Sequence, residues 1–325
     1  MSRTRSPLSG VLAVAVALAP IAAQAASPAA QETPFPELEL LWEAGGPPPD
    51  DPGTMAMAIH PVTGDLWVAV AHDDQYWILS PEGEYLETWG ETGSGPGQFR
   101  FEYPAQELPW ATGAIAFLPD GSFFVGDTGN FRIQRFDADR QQIGEWGSFG
   151  KGDGEFSMLL ALGTDGSSVF AGDCDRWDIQ VFDLEGAYER TIGADHGFCE
   201  FAVGPDGVLR ANNTENPLGV AMRVASLDPD GTELAQVDLD GFPGLPWVQA
   251  VGPDGTLYVS LYDLDADEHV GIVEVAPDGK VVRAFSGGGD RLLVSPEGDA
   301  LYVARGATPD MERWSTIRKY ALPAD

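Results

Sequence analysis

The chain has 325 residues, with 51 Asp and Glu against 18 Lys and Arg, which gives a formal net charge of −33 at pH 7. Its 40 glycines and 25 prolines exclude a helical bundle or a coiled coil, because both residues end helices, while 43% apolar and 10% aromatic residues supply a core and exclude a disordered chain. So acidic a surface repels phosphate backbones and anionic lipid, which sets nucleic acid and membrane surfaces aside as partners. The first predicted element is a targeting segment over residues 1–25. Arg3 and Arg5 form its positive start, Gly10 to Ala23 is a short apolar stretch interrupted by Pro20, and Ala23-Gln24-Ala25 is a cleavage site with the cut before Ala26. A membrane anchor needs about 18 to 20 unbroken apolar residues, more than this stretch offers. We therefore expect a secreted or periplasmic protein with no membrane insertion once the signal is removed. A flexible Pro/Ala-rich tail is expected over 26–36.

From there one phrase recurs: an apolar run, a Pro-Asp-Gly type turn, and another apolar run. It stands at His60-Pro61-Val62-Thr63-Gly64, Pro119-Asp120-Gly121, Thr164-Asp165-Gly166, Pro205-Asp206-Gly207, Pro253-Asp254-Gly255 and Pro296-Glu297-Gly298, at intervals of 41 to 57 residues. A second turn follows five of them, as at Pro81-Glu82-Gly83, Asp183-Leu184-Glu185-Gly186 and Pro277-Asp278-Gly279. Asp-Gly between apolar runs predicts a hairpin, because the turn needs a positive φ at low cost. The runs between turns are β-rich, as in Leu66-Trp67-Val68-Ala69-Val70 and Leu257-Tyr258-Val259-Ser260, and no helical period is sustained after the signal. Four strands and two turns per repeat describe a propeller blade. Six blades are predicted, with inner strands beginning near Met55, Gly113, Leu159, Cys199, Val248 and Arg291. The sixth is one strand short at its end, and Glu37 to Glu43 is a strand to spare before the first. That strand is expected to complete blade six and close the ring, which removes both open sheet edges. The expected fold is all-β: a six-bladed β-propeller forming a single domain over 37–325.

Blades two and three carry a recognisable pattern. Gly95-Pro96-Gly97-Gln98-Phe99, Gly113-Ala114-Ile115-Ala116, Phe124-Val125-Gly126-Asp127, Asn130-Phe131-Arg132-Ile133-Gln134-Arg135-Phe136-Asp137 and Gly147-Ser148-Phe149-Gly150 closely resemble an NHL repeat, and Phe170-Ala171-Gly172-Asp173 with Ile179-Gln180-Val181-Phe182-Asp183 repeats it. The resemblance is partial in blades four and five and weak in one and six. It implies a six-bladed propeller of the NHL/TolB-like kind without implying one activity, since this fold carries binding modules, lactonases and lyases. It also implies that the loops between second and third strands, and those leading into each first strand, share one face near the central channel. The candidate ligand contacts on that face are His72, Asp127, Asn130, Asp175, Asn213, Asp263, His269 and Arg305, with Asp127 and Arg132 also readable as internal glue. Trp110 and Trp247 lie in segments leading into inner strands and are candidates to line the channel mouth.

Cys174 and Cys199 map to that face in adjacent blades, and two cysteines in an exported chain suggest a disulfide worth about 3 kcal/mol. His72, His196 and His269 also map there and could hold zinc. Asp263, Asp265 and Asp267 begin like a calcium loop, but Glu268 stands where a glycine is wanted for the sharp turn. No cofactor is certain, and calcium or zinc are the candidates. Peptide-amidating lyases of this fold hold zinc with channel histidines, but this chain has Ser157-Met158 where such a lyase places a Pro-His pair. Lactonase-like propellers carry a Glu at the first inner strand, and Gly53-Thr54-Met55-Ala56-Met57 has none, leaving Glu200, Asn213 and Asp263 as a substitute set. No nucleophile elbow is present. The expected function is therefore a ligand- or protein-binding module working through the channel face, as a monomer whose partner is an unknown small molecule or protein. The alternative is a divalent-metal-dependent hydrolase or lyase in the same channel.

Overall fold

Six hairpin turns set the repeat. Gly64, Gly121, Gly166, Gly207, Gly255 and Gly298 all sit at φ between 74° and 88°, where a Cβ is penalised. The acidic residue before the glycine fastens several of these turns: Asp120 Oδ1 accepts the Ser122 N–H at 2.9 Å, and Asp254 Oδ1 accepts the Thr256 N–H at 2.9 Å. Each turn joins an inner strand to a second strand of the same sheet.

The computed structural model describes residues 35–45, 56–102, 113–193, 198, 200–213, 223–239, 241–305 and 316–323. The expected signal at 1–25, most of the tail at 26–36, Trp110, His196 and Cys199 lie outside them. Five four-stranded antiparallel sheets follow in chain order, each laid down from the inside outward. Blade one is Met57–Ile59, Leu66–Val70, Gln75–Leu79 and Tyr85–Trp89. Blade two is Ile115–Phe117, Phe123–Asp127, Arg132–Phe136 and Gln142–Trp146. Blade three is Leu159–Thr164, Ser168–Asp173, Asp178–Asp183 and Tyr188–Ile192. Blade four is Phe201–Val203, Leu209–Asn213, Arg223–Leu227 and Glu233–Asp238. Blade five is Leu245–Val251, Leu257–Asp263, Glu268–Val275 and Val281–Phe285. Blade six takes Arg291–Val294, Ala300–Arg305 and Thr316–Ala321 from the end of the chain. Its outer strand, Glu39–Gly45, comes from the beginning, pairing antiparallel from Glu39 opposite Ala321 to Gly45 opposite Thr316. Phe35–Asp325 forms one compact unit.

The core lies in the seams between blades, and strand alternation puts it there. In blade two's second strand, Phe123 and Val125 face blade one, whose Trp67, Tyr76 and Ile78 they meet. Phe124, between them, faces blade three's Phe156, Leu159 and Phe182. The same logic fills the other seams, ending with Leu66, Val68 and Leu79 of blade one against Tyr302, Ala304 and Ile317 of blade six. The N-terminal strand adds to that last seam. Trp42 meets Tyr302 edge-on at 5.9 Å, and its indole N–H donates to Pro81 O at 3.0 Å. It lies over Gly83, where a Cβ would come within 2.8 Å of the ring.

The inner strand of blade five begins at Leu245 rather than near Val248. Leu245 and Pro246 pair with Tyr262 and Leu261, Val248 pairs with Ser260, and Trp247 is the extra residue of a β-bulge between them. An apolar-run reading has no signal for a bulge, so it places the strand start after it.

Candidate functional site on the channel face of blades four to six

At the channel-face end of each blade, the second strand turns back into the third. Four of these turns hold a non-glycine residue in the left-handed region: Asp74 at φ 54°, Phe131 at 57°, Trp177 at 60° and Asp267 at 55°. In the first three blades an aspartate at this end secures the chain arriving from the preceding blade or leaving for the next. Asp74 Oδ1 accepts the Phe101 N–H, Asp127 Oδ1 the Arg100 N–H and Asp173 Oδ2 the Ser157 N–H, each at 2.7 Å.

Asp127 is fully buried. Besides Arg100, its carboxylate takes hydrogen bonds from Asn130 Nδ2 at 2.9 Å, Arg132 Nε at 2.8 Å and Gln134 Nε2 at 3.1 Å. Burial pushes its pKa up, against the pull of these donors. Asn130 Nδ2 also donates to Gly93 O at 2.8 Å. Both residues are engaged inside the fold: the Asp127 oxygens accept from the Arg100 backbone, Asn130 and Arg132, and the Asn130 amide is shared between Asp127 and Gly93.

The remaining candidates divide by blade. His72, half-exposed in blade one, pairs through Nδ1 with Glu102. Asp175 in blade three pairs with Lys151 at 2.8 Å, and that hydrogen bond holds its carboxyl below the usual range. Asn213 ends the second strand of blade four. Asp263 turns its carboxylate onto its own loop, accepting the Asp265 and Ala266 N–H groups at 2.9 and 3.1 Å, while Asp267 accepts the Tyr262 hydroxyl. Among the described residues, no group of three or more His, Cys, Asp or Glu side chains comes together to hold a metal ion.

His269 stands apart, because other side chains gather round it. It is the second residue of the third strand of blade five, with its side chain 5% exposed. Its Nδ1 is 3.1 Å from Ser260 Oγ and its Nε2 is 3.1 Å from Asp290 Oδ1. The ring meets Tyr262 edge-on at 4.9 Å, and Tyr262 stacks on Trp247 at 4.8 Å. Two bulges at the same level aim this set. Trp247 is the extra residue on one side of the second strand. On the other side His269 pairs with Tyr262 and Gly271 with Leu261, so Val270 is extra. Bulges re-aim side chains, and here they do so from both flanks. Burial, then the Asp267 hydrogen bond and charge, push the Tyr262 hydroxyl up to about 12.

Asp290 arrives on the Gly287–Gly289 connection into blade six, where a Cβ on Gly288 would come within 2.7 Å of Ser260 Oγ. Next to it, Arg291 faces Glu200 of blade four at 3.5 Å. Ser260 is fully buried and also accepts the Gly289 N–H at 3.2 Å, so it fixes His269 in place rather than offering a nucleophile. Ser260, Tyr262, Asp290 and Arg291 were missed in the sequence. The glycine run ahead of Asp290 was the available signal, since a backbone that must pass against a side chain needs glycine.

No protein-family model matches the chain, and no curated protein does. Solved structures of similar fold include hydrazine synthase of Kuenenia stuttgartiensis, at 13% identity and a TM-score of 0.55 over 85% of this chain and 97% of that one. A streptogramin B lyase structure matches at 12% identity and a TM-score of 0.52, over 82% of this chain and 78% of that one. A catalytically inactive histidine-to-alanine variant of virginiamycin B lyase from Staphylococcus aureus with quinupristin matches at 13% identity and a TM-score of 0.54, over 85% and 83%. No family model upholds the NHL resemblance, and likeness at this level of identity speaks to fold alone: the chain is a six-bladed β-propeller similar in architecture to virginiamycin B lyase.

Proposed function

We propose that the chain is an exported propeller that binds a small molecule or a protein through its channel face, at the sector formed by blades four to six. The observation that carries this is the gathering of Trp247, Tyr262, His269 and Asp290 at two aligned bulges, in contrast to blades two and three, whose carboxylates at the same level are engaged by backbone. Aromatic faces beside a few convergent polar groups are the usual composition of a ligand site. Export rests on Arg3, Arg5 and the Ala23-Gln24-Ala25 site, and makes the protein secreted or periplasmic. The Cys174–Cys199 disulfide belongs to the same proposal, and no cysteine among the described residues is free. A monomer that avoids nucleic acid and lipid follows from the net charge of −33.

A second reading, a metal-dependent hydrolase or lyase, draws on the lyase neighbours and on His269 as a positioned histidine. The donors proposed for its metal do not fit together among the described residues: His72 and His269 stand in different blades, and Asp263 and Asp267 are turned onto their own loop. His196 and Asp265 would have to complete the set. Two measurements separate the readings. A thermal-shift screen of small ligands should find compounds whose stabilisation disappears in both Trp247→Ala and His269→Ala, with the circular dichroism of each variant unchanged. Stabilisation that survives both changes would move the site elsewhere. One equivalent of zinc or calcium, measured by elemental analysis after dialysis without chelator and lost in His269→Ala, would put the metal enzyme first.

A further inference from the structure

We infer that the channel face carries an anion subsite at Arg305, so that the ligand of the proposed site bears a carboxylate or phosphate group. This rests on the binding role proposed above and names the chemistry of its ligand. Arg305 is the last residue of blade six's second strand, the position filled by Asp127 in blade two, Asp173 in blade three and Asp263 in blade five. In those blades the carboxylate accepts backbone N–H groups and holds a turn or an arriving segment. A guanidinium has no acceptor and cannot do that work. In blade six the arriving chain is secured by other means: the Asp290 N–H donates to Ala304 O at 2.8 Å and the Gly289 N–H to Ser260 Oγ. Arg305 is thereby released from the structural duty of its position, with its charge reversed.

It also has no partner among the described residues. Arg305 is partly buried, yet no hydrogen bond or ion pair holds its guanidinium among the described residues. Scarcity of carboxylates does not explain this in a chain with 51 of them. Arg132, Arg176, Arg283 and Arg318 each have a carboxylate partner. A partly desolvated cation left unpaired where counter-charges abound is a group kept open for an anion, and the planar guanidinium fork suits a carboxylate or a phosphate.

Strand alternation says which way it faces. Leu301 and Val303, on the same side of the strand as Arg305, pack against Ala250, Tyr258 and Ile272 of blade five. Arg305 continues that row to the channel-face end, toward the blade that carries Trp247, Tyr262 and His269. Asp290, which its N–H bond to Ala304 O brings beside the end of this strand, has its carboxylate engaged by His269. The arrangement suits a flat ligand with an acidic group: a ring against Trp247 and Tyr262, and the acid on Arg305.

The test titrates the full chain calorimetrically with benzoate, phenyl phosphate and the neutral benzamide. Benzoate or phenyl phosphate should bind at least tenfold more tightly than benzamide. Arg305→Gln should erase that preference, Arg305→Lys should keep part of it, and both variants should melt like the parent, since Arg305 makes no hydrogen bond or ion pair among the described residues. The acid that binds more tightly distinguishes a carboxylate ligand from a phosphate one. Equal binding of acids and amide, or a preference that survives Arg305→Gln, overturns the anion subsite. If benzamide then still binds and loses affinity in Trp247→Ala, the binding reading stands without the subsite. If none of the three binds the parent, both fall.

Discussion

Single carboxylates in this protein divide into those the fold uses and those it leaves to solvent, and residue type alone does not tell them apart. Asp127 has no exposed surface and anchors Arg100, Asn130, Arg132 and Gln134. Its removal leaves the Arg100 N–H, Asn130 and Gln134 without this acceptor and Arg132 with Glu145 as its remaining carboxylate partner. We expect Asp127→Ala to lower stability by about 3 to 5 kcal/mol, the usual loss when one partner of a buried pair is taken away. Asp175, paired with Lys151 in the open, should lose less than about 1 kcal/mol in Asp175→Ala. Urea denaturation midpoints measure both, and equal losses would refute the division. The sequence held part of this. Asp127 with Arg132 could be read as glue from its place in the blade pattern. His269 could be listed as a face residue, but its ties to Ser260 and Asp290 could not, because those partners come from a neighbouring strand and from the next blade's connection.

Strands and turns were the most legible elements, for a physical reason: a hairpin turn is local chemistry, and an Asp-Gly pair states its φ requirement in two residues. All six first-turn glycines take that positive φ, four of them after an Asp, one after Thr63 and one after Glu297. Bulges were not legible, because an extra residue shows only against the strand it pairs with, and the two that aim Trp247 and His269 went unseen. The N-terminal strand makes an element-scale prediction. Glu39–Gly45 covers the edge of Thr316–Ala321 and brings Trp42 onto Tyr302 and Pro81. A chain beginning after Gly45 would leave that edge open for another molecule to pair with. Size-exclusion chromatography should show oligomers or aggregate for this truncation and a single species for one that begins at Phe35. A monodisperse, equally heat-stable truncation would mean that the strand is dispensable.

At the scale of the whole molecule, the repeat interval gave the number of blades, while the candidate site depends on which blades keep their channel-face side chains free, a property of contacts rather than of pattern. The net charge of −33 acts at this scale too. Self-repulsion among so many carboxylates opposes the compact state, and at physiological ionic strength it reaches only about 8 Å before it is screened. The melting temperature should therefore rise between low salt and about 0.5 M sodium chloride at neutral pH, where the Debye length is shorter still. A fall would mean that the ion pairs outweigh the repulsion. The pairing of Glu39 with Ala321 has a further consequence, in time rather than in space. Every other blade can form as soon as its own strands have been made, since its contacts are local. The sixth must wait for the last-made strand to find the first-made one, a search whose entropic cost grows with the length of chain between them. Until that meeting, five blades are complete and the sixth is a three-stranded sheet with an open side, so the interval between synthesis of Ala321 and capture of Glu39 is when this protein is most exposed to pairing with a neighbour.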